Sequence, residues 1–155
     1  MQLTLRNYSP GDFETLYAID QTCYPRGIAY SRRTLKWFLT LPGADCVLAV
    51  TEDDPENATV GFIITEAEGP EAHIVTLDVV REHRREGVGT ALLREAEQRL
   101  MKRGVRRVEL ETASSNEAAV AFWQRHGYRT FGIIPGYYLG RINAFEMVKN
   151  LVTLR

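Results

Sequence analysis

The sequence has few cysteines and no long hydrophobic run. Its two cysteines, Cys23 and Cys46, lie 23 residues apart and form no CxxC pair, which argues against a zinc site or a disulfide framework. No apolar stretch approaches the roughly 18 residues that a membrane helix needs. The first residues lack the basic and apolar segments of a secretion signal. We therefore expect a cytoplasmic protein with reduced thiols, no membrane contact and no metal site.

An excess of charge of either sign is also lacking. The 155 residues include 19 Lys plus Arg and 20 Asp plus Glu, which gives a net charge of −1. A balanced chain of this kind has no general affinity for nucleic acid. Hydrophobic residues make up 45% and charged residues 25%, which excludes a disordered tail and a fibre. The length predicts a single domain over residues 1–155, present as a monomer or a homodimer.

Hydrophobic periodicity predicts an α/β fold. We expect a mixed, twisted sheet of six or seven strands, antiparallel through its first half, with helices on both faces. The strands are predicted at 3–6, 45–50, 59–65, 73–80, 105–112, 128–134 and 144–152. The helices are predicted from Ser9-Pro10, from Ser31, from Gly87 to Gly104, and from a capping box at 114–117 to Arg125. The strands that end near Val79 and Thr112 should be parallel neighbours that diverge at their carboxyl ends, where open α/β sheets bind ligands.

The junction between the strand ending at residue 80 and the next helix has the composition of a phosphate-binding loop. The first turn of a helix carries unpaired N–H groups and the positive end of the helix dipole. Gly87 and Gly89 let an oxygen approach these groups, while Arg84 and Arg85 add forked donors suited to phosphate. A glycine-softened turn with a solvated basic rim is the alternative. A dinucleotide loop fits less well, because residue 92 is Leu rather than Gly.

Two segments resemble the GNAT superfamily of N-acetyltransferases. Arg84-Arg85-Glu86-Gly87-Val88-Gly89 is similar to that superfamily's pyrophosphate loop, [Gln/Arg]-x-x-Gly-x-[Gly/Ala]. The stretch from Leu110 to Tyr128 resembles the protein N-terminal acetyltransferase branch, which includes the ribosomal-protein alanine acetyltransferases. Tyr24-Pro25 and Tyr137-Tyr138 also resemble that branch. The resemblance implies a GNAT-like fold, acetyl-CoA as cosubstrate, and direct transfer to a primary amine, most simply a protein N-terminal α-amine.

The resemblance also implies a role for each matching residue. Backbone groups of Leu77 and Val79 would hold the pantetheine arm and polarise the acetyl carbonyl. The residues implied in cofactor binding are Leu77, Asp78, Val79, Arg84, Arg85, Glu86, Gly87, Val88, Gly89, Thr90 and Asn116. Glu111 aligns with the branch's general base, which deprotonates the amine through water; its alternative is an ion pair with Arg106 or Arg107.

The proton donor and the acceptor site depend on aromatic residues. Trp123 occupies the position at which the branch has an acidic tyrosine, and an indole N–H cannot replace that acid. Tyr138, and less readily Tyr137, is the candidate donor to the thiolate. Tyr24, Tyr30 and Tyr137 are expected to line a groove for a short peptide, since tyrosine offers apolar area and a hydroxyl.

Other functions remain open at this point. A coenzyme A-binding module without turnover is the first alternative, and the missing tyrosine favours it. Acetylation of lysine or of a small-molecule amine is the second, and a dinucleotide-binding protein the third. We interpret His73 as an ordinary strand residue, His83 as loop surface, and His126 as a cation at a helix end.

Overall fold

The computed structural model describes residues 2–55 and 58–151. The strands are β1 (Leu3–Asn7), β2 (Ala44–Thr51), β3 (Thr59–Glu68), β4 (Glu71–Val79), β5 (Arg107–Ala113), β6 (Arg129–Tyr138) and β7 (Ile142–Asn150). The helices are α1 (Phe13–Cys23), α2 (Arg32–Thr40), α3 (Val88–Lys102) and α4 (Glu117–Arg125). Within these described ranges, none of the helices has the length and apolar character needed to cross a membrane.

The strands form one mixed sheet in the order β1-β2-β3-β4-β5-β7-β6. The first three strands are antiparallel, β4 and β5 are parallel, and β7 is antiparallel to both β5 and β6. This confirms the expected α/β fold with a mixed sheet that is antiparallel at its start. Residues 71–73 of β4 pair with residues 107–109 of β5, so the expected parallel neighbours are also confirmed. Their divergence beyond these pairs stays a prediction.

The residues group into two compact units. Unit 1 comprises Met1–Glu66 and Ile74–Arg99, and unit 2 comprises Ala67–His73 and Leu100–Arg155. The core of unit 1 contains the fully buried side chains of Leu16, Leu35, Leu48, Phe62, Ile64 and Leu92. The core of unit 2 contains Leu100, Val108, Leu110, Ala144 and Met147. Each large apolar side chain removed from water stabilises the fold by roughly 1.5–3 kcal/mol.

The helix starts follow from side chains that cap exposed N–H groups. Ser31 caps α2, because its hydroxyl accepts a hydrogen bond from the Thr34 N–H at 3.1 Å. Helix α1 begins at Phe13 rather than at Pro10, since Pro10–Asp12 forms a separate 3-10 turn. Helix α4 is capped by Asn116 and not by Ser114, because the Asn116 side chain accepts from the Ala119 N–H at 3.1 Å.

Strand ends differ from the predicted ones by a few residues. Strand β3 ends at Glu68 and strand β4 begins at Glu71. The expected turn between them therefore lies at Gly69, where φ is +60°. Strand β6 continues to Tyr138, so the two adjacent tyrosines belong to the strand rather than to the loop after it. Strand β7 ends at Asn150; the predicted end, Val152, lies outside the described residues.

Candidate active site

The loop before α3 has an unusual backbone. Arg85 and Gly87 both have left-handed conformations, with φ of 65° and 85°. A left-handed conformation is strained for an arginine, and alternating left-handed residues are typical of concavities that bind anions. An added Cβ at Gly87 would meet no atom within 4 Å, so open space surrounds this part of the loop. The residues present therefore fit an anionic group such as a pyrophosphate.

Side chains tie the same loop to unit 1. The Arg84 Nε donates to the Val79 carbonyl at 3.1 Å, so the guanidinium lies at the end of β4. His83 is close to Glu86 at 2.9 Å and to Asp54 at 3.3 Å. The hydrogen bond with Glu86, followed by that with Asp54, raises the pKa of His83. His83 is thus held in place within the loop. The interpretation of His83 as solvated loop surface is therefore corrected.

Helix α3 begins directly after this loop. Its first residue, Val88, is 1% exposed, which anchors the first turn in the core of unit 1. Gly89 and Thr90 follow in that turn. The N–H groups of a first helical turn lack partners within the helix, and the buried Val88 holds them in place.

The carbonyl groups of β4 accept hydrogen bonds from α1 and from the segment after it. The Tyr30 hydroxyl donates to Val75 O at 3.2 Å, the Tyr24 hydroxyl to Leu77 O at 3.4 Å, and the Cys23 thiol to Val79 O at 3.5 Å. The Val80 N–H instead donates to Val60 O of β3. Because backbone groups of successive residues on a strand point to opposite sides, the carbonyls of residues 75, 77 and 79 point away from β3. Tyr24 and Tyr30, which were expected to line an acceptor groove, therefore point their hydroxyls at β4, and the Tyr30 ring packs edge-on against Phe38 at 5.3 Å.

Both cysteines are free. Burial, reinforced by the nearby Asp78, raises the pKa of the Cys23 thiol to about 11. Burial also raises the pKa of Cys46. Neither thiol is a thiolate at neutral pH, so neither has the character of a nucleophile.

In unit 2, Glu111 lies within a cluster of three side chains. Its Oε1 is 2.8 Å from the Nε2 of His73, and Tyr137 is a neighbour of the same carboxylate. Burial and the charge of Glu111 raise the pKa of Tyr137. Arg107 instead pairs with Glu109 at 2.8 Å, so the expected alternative of a Glu111–Arg107 ion pair is not what the structure shows. Glu111 is thus a partly exposed carboxylate whose hydrogen-bond partner is His73.

Tyr138 and Trp123 occupy different environments. Trp123 is 7% exposed, and its ring meets that of Tyr128 edge-on at 5.3 Å, so it is part of the packing of unit 2. Tyr138 is half-buried, with its ring 4.9 Å from that of Tyr137. Burial, followed by the proximity of Tyr137 and Glu111, raises the pKa of Tyr138. Tyr138 therefore carries its proton at neutral pH, as a proton donor must.

The remaining predicted site residues divide by accessibility. The Asp78 side chain is 1% exposed, so its predicted contact with a cofactor can involve only the backbone. Asn116 uses its Oδ1 as the cap of α4, which leaves the amide N–H groups for any ligand. Among the described residues, no group of three or more His, Cys, Asp or Glu side chains is arranged to hold a metal ion.

His73 is a neighbour of Glu111 that the sequence did not point to. The first residues of β4 pair with the first residues of β5, and His73 is opposite Glu109. On a strand, side chains two residues apart share a face, so His73 and Glu111 meet once the parallel register is known. The signal was an imidazole on a strand expected to neighbour the strand of Glu111.

Comparison with known proteins gives a consistent result. Residues 13–128 match the model of the Acetyltransferase (GNAT) family. An N-alpha-acetyltransferase of Saccharolobus solfataricus is 26% identical over 162 aligned positions, which cover 96% of this chain and 93% of that protein. Several other curated relatives are matched over only about half of their length, 45–52%.

Solved structures resemble the whole chain. The ribosomal-protein-S18-alanine N-acetyltransferase from Escherichia coli has a TM-score of 0.87 and 25% sequence identity, covering 99% of this chain and 97% of that one. NAA60 of Arabidopsis thaliana, solved in complex with acetyl-CoA, has a TM-score of 0.85 and 21% identity, covering 97% and 99%. The second likeness concerns the fold alone.

Proposed function

Because the chain belongs to the GNAT acetyltransferase family, we propose that it transfers the acetyl group of acetyl-CoA directly to a protein N-terminal α-amine. We further propose that both units belong to one N-acetyltransferase domain over residues 1–155, since the family match runs through segments of each. The loop before α3 supports the donor, and the relatives acting on N-termini support the acceptor.

Cofactor binding is assigned to the end of β4, the loop before α3, the first turn of α3 and Asn116. The first turn of α3 and the left-handed loop would hold the pyrophosphate, with Arg84 and Arg85 supplying positive charge. Backbone groups at the end of β4 would hold the pantetheine arm, and the Asn116 amide would contact it. The proposed cofactor-binding residues are Leu77, Asp78, Val79, Arg84, Arg85, Glu86, Gly87, Val88, Gly89, Thr90 and Asn116.

Glu111 and Tyr138 are the proposed acid–base residues. A thioester supplies an activated acetyl group, and the amine nitrogen forms a bond to its carbonyl carbon as the carbon–sulfur bond breaks. Glu111 accepts the proton that the amine loses, through a water molecule, and Tyr138 donates a proton to the departing thiolate. His73, at 2.8 Å from Glu111, orients the carboxylate. Backbone N–H groups of β4 stabilise the charge on the carbonyl oxygen.

The acceptor site is assigned to three tyrosines. Tyr24 and Tyr30 hold fixed positions because their hydroxyls bind β4, and Tyr137 is 49% exposed beside Glu111. Aromatic rings with fixed orientations suit the backbone of an extended peptide. An α-amine has a pKa near 8, against about 10.4 for lysine, so it loses its proton more readily.

The observation that carries this proposal is the left-handed loop at the start of α3 within a chain of the GNAT family. Two measurements test it. Acetyl-CoA should raise the melting temperature, since a ligand that binds only the native state stabilises it. Peptides with Ala, Ser, Met or acidic first residues should then be acetylated at the α-amine alone, as located by mass spectrometry. No thermal shift at millimolar acetyl-CoA would refute the donor, and label on internal lysine or on a small amine would refute the acceptor.

A coenzyme A-binding module without turnover is the second candidate. Trp123, packed against Tyr128, stands where the branch has its acidic tyrosine, and this observation favours the module. The module predicts a thermal shift with coenzyme A but no thiol release with any peptide or polyamine. Thiol release that depends on Tyr138 would instead show that this hydroxyl replaces the missing acid.

A further inference from the structure

A pair of buried acids lies where α1 packs on β4 in unit 1. Asp20 of α1 is 0% exposed and Asp78 of β4 is 1% exposed. Asp20 acts on Asp78 through its charge and as a hydrogen-bonding neighbour, and both effects raise the pKa of Asp78, so the two carboxyl groups lie side by side. A carboxylate can only accept hydrogen bonds, so a bond between two carboxyl groups requires a proton on one of them.

Each carboxyl group has a further donor. Asp20 Oδ2 accepts from the Tyr30 N–H at 2.8 Å, and Asp78 Oδ1 accepts from the Thr76 hydroxyl at 2.5 Å. The other two oxygens, Asp20 Oδ1 and Asp78 Oδ2, are buried and lack any hydrogen-bond partner among the described residues. One proton held between the two groups satisfies both oxygens. Two carboxylates would instead place like charges in contact and leave two buried acceptors unpaired.

We propose that Asp20 and Asp78 share one proton at neutral pH, and that this pair is a positioning element that fixes residues 24–31 against the end of β4. The link to that segment is the hydrogen bond from Tyr30 N–H to Asp20. The same segment carries Tyr24 and Tyr30, whose hydroxyls bind β4. Its relevance to acetyl transfer rests on the proposed function; the sharing of the proton does not.

Among the described residues, the side chains with the largest effect on Asp78 are Asp20, Thr76 and Tyr24, and none of these three is a cation. Tyr24 lies beside both acids, and its hydroxyl is 3.4 Å from the Thr76 hydroxyl, which binds Asp78. Cys23 at the end of α1 and Cys46 of β2 also interact with Asp78. Arg84 acts on the Cys23 thiol and is bound to the Val79 carbonyl. Burial, followed by the bond with Asp20, raises the pKa of Asp78, as expected for a pair that titrates as one unit.

The shared proton has a consequence for stability. In the unfolded chain each aspartate has a pKa near 3.9, so the native state holds one extra proton above that pH. The free energy of unfolding therefore falls as the pH rises from about 4 toward the raised pKa of the pair, with the slope of one proton.

Two variants and the wild type test the shared proton. Asp20→Asn and Asp78→Asn each replace one acid by an amide whose NH₂ can donate to the remaining carboxylate. At neutral pH the wild type should show the infrared carbonyl band of a protonated carboxylic acid, and both variants should lack it. Both should also lack the one-proton slope of unfolding free energy above about pH 4. Glu52→Gln, at an exposed site, is the control and should keep both signals. A wild type without the band, or a band that persists in both variants, would overturn the proposal.

The positioning role has its own measurement. Asp20→Ala removes the acceptor of the Tyr30 N–H, whereas Asp20→Asn keeps an oxygen there. Amide hydrogen exchange at Tyr30 should therefore quicken by about tenfold or more in Asp20→Ala and stay near wild type in Asp20→Asn. Equal exchange in the two variants would refute the positioning role. If the band and slope are found but no peptide is acetylated, the proposed function fails while the shared proton stands.

Discussion

The loop before α3 and the cluster around Glu111 differ in the kind of protein group, backbone or side chain, that would bind a ligand. In the loop, the decisive features belong to the backbone: left-handed residues at Arg85 and Gly87, followed by a helix start. In the cluster, they belong to the side chains of Glu111, His73 and Tyr137. A backbone site depends on space and on φ, while a side-chain site depends on particular functional groups. The two regions should therefore respond to opposite kinds of substitution.

The largest effect is expected from bulk in the backbone site. At a concentration about 100 times its Kd, acetyl-CoA should stabilise the wild type by about 2.7 kcal/mol. Gly89→Glu should abolish that gain, because it places bulk and negative charge in the first turn of α3. Gly11→Glu is the control for the charge change, since an added Cβ at Gly11 meets no atom within 4 Å. A full thermal shift in Gly89→Glu would mean that the phosphates bind elsewhere.

In the cluster around Glu111, replacing one functional group without adding bulk should be enough to lower the rate of acetyl transfer. Glu111→Gln should lower kcat by about a hundredfold or more, the loss expected on removal of a general base. Its thermal shift with acetyl-CoA should stay at the wild-type value. Glu109→Gln removes the same charge from the same strand, where Glu109 pairs with Arg107, and should keep its rate. An unchanged rate in Glu111→Gln would indicate that solvent deprotonates the amine.

His73 tests whether the cluster works as a unit. His73→Ala removes the 2.8 Å partner of Glu111, and a hydrogen bond to a charged group is worth about 1.5–3 kcal/mol. We expect kcat to fall by about tenfold, given 1.36 kcal/mol per tenfold. In the Glu111→Gln background the same change should cost less than about twofold, because coupled residues are not additive. Equal losses in both backgrounds would show that His73 acts independently of Glu111.

The difference between the two regions also explains what the sequence could reveal. The loop was predictable because its determinants, Arg84 to Gly89, are consecutive, and local backbone geometry follows from local residue types. The pairing of His73 with Glu111 spans 38 residues and needs the register of two parallel strands, which no local pattern encodes. The strands and helices were predicted with shifts of a few residues, since hydrophobic periodicity is also local.

The burial of Asp20 and Asp78 is a second feature that could not be predicted from the sequence. The buried residues of α1 are Leu16, Ile19 and Asp20, and Asp20 was not among the residues that the sequence singled out. Asp20 lies four residues after Leu16 and so shares its face. The signal was present, yet an acid on that face is stable only beside Asp78 and Tyr30, and these partners come from distant parts of the chain.

A smaller effect is expected at Gly87, where the cost of an added side chain and the cost of the left-handed backbone can be told apart. Gly87→Ala adds one methyl group that meets no atom within 4 Å but must adopt a φ of +85°. A left-handed L-residue costs about 1–2 kcal/mol, which lowers Tm by roughly 2–4 °C per kcal/mol in a chain of this size. Gly11→Ala, without a positive φ, should leave Tm unchanged. Equal effects of the two variants, measured by calorimetry, would contradict the strained conformation.

The smallest effect concerns His83, a titratable side chain of the loop before α3 that is hydrogen-bonded to Asp54. The hydrogen bonds with Glu86 and Asp54 raise the pKa of His83 above its value in the unfolded chain, so the native state binds the proton more tightly. Its stabilising contribution is complete below about pH 6.5, the unfolded pKa, and is lost as the pH rises through the raised native value. His83→Gln should therefore flatten the decline of Tm between about pH 6 and pH 8 by a degree or so, with the Gly89→Glu variant keeping the wild-type decline. If His83→Gln and wild type show the same pH dependence of Tm, the imidazole is not ion-paired, and the loop is held by its backbone and Arg84 alone.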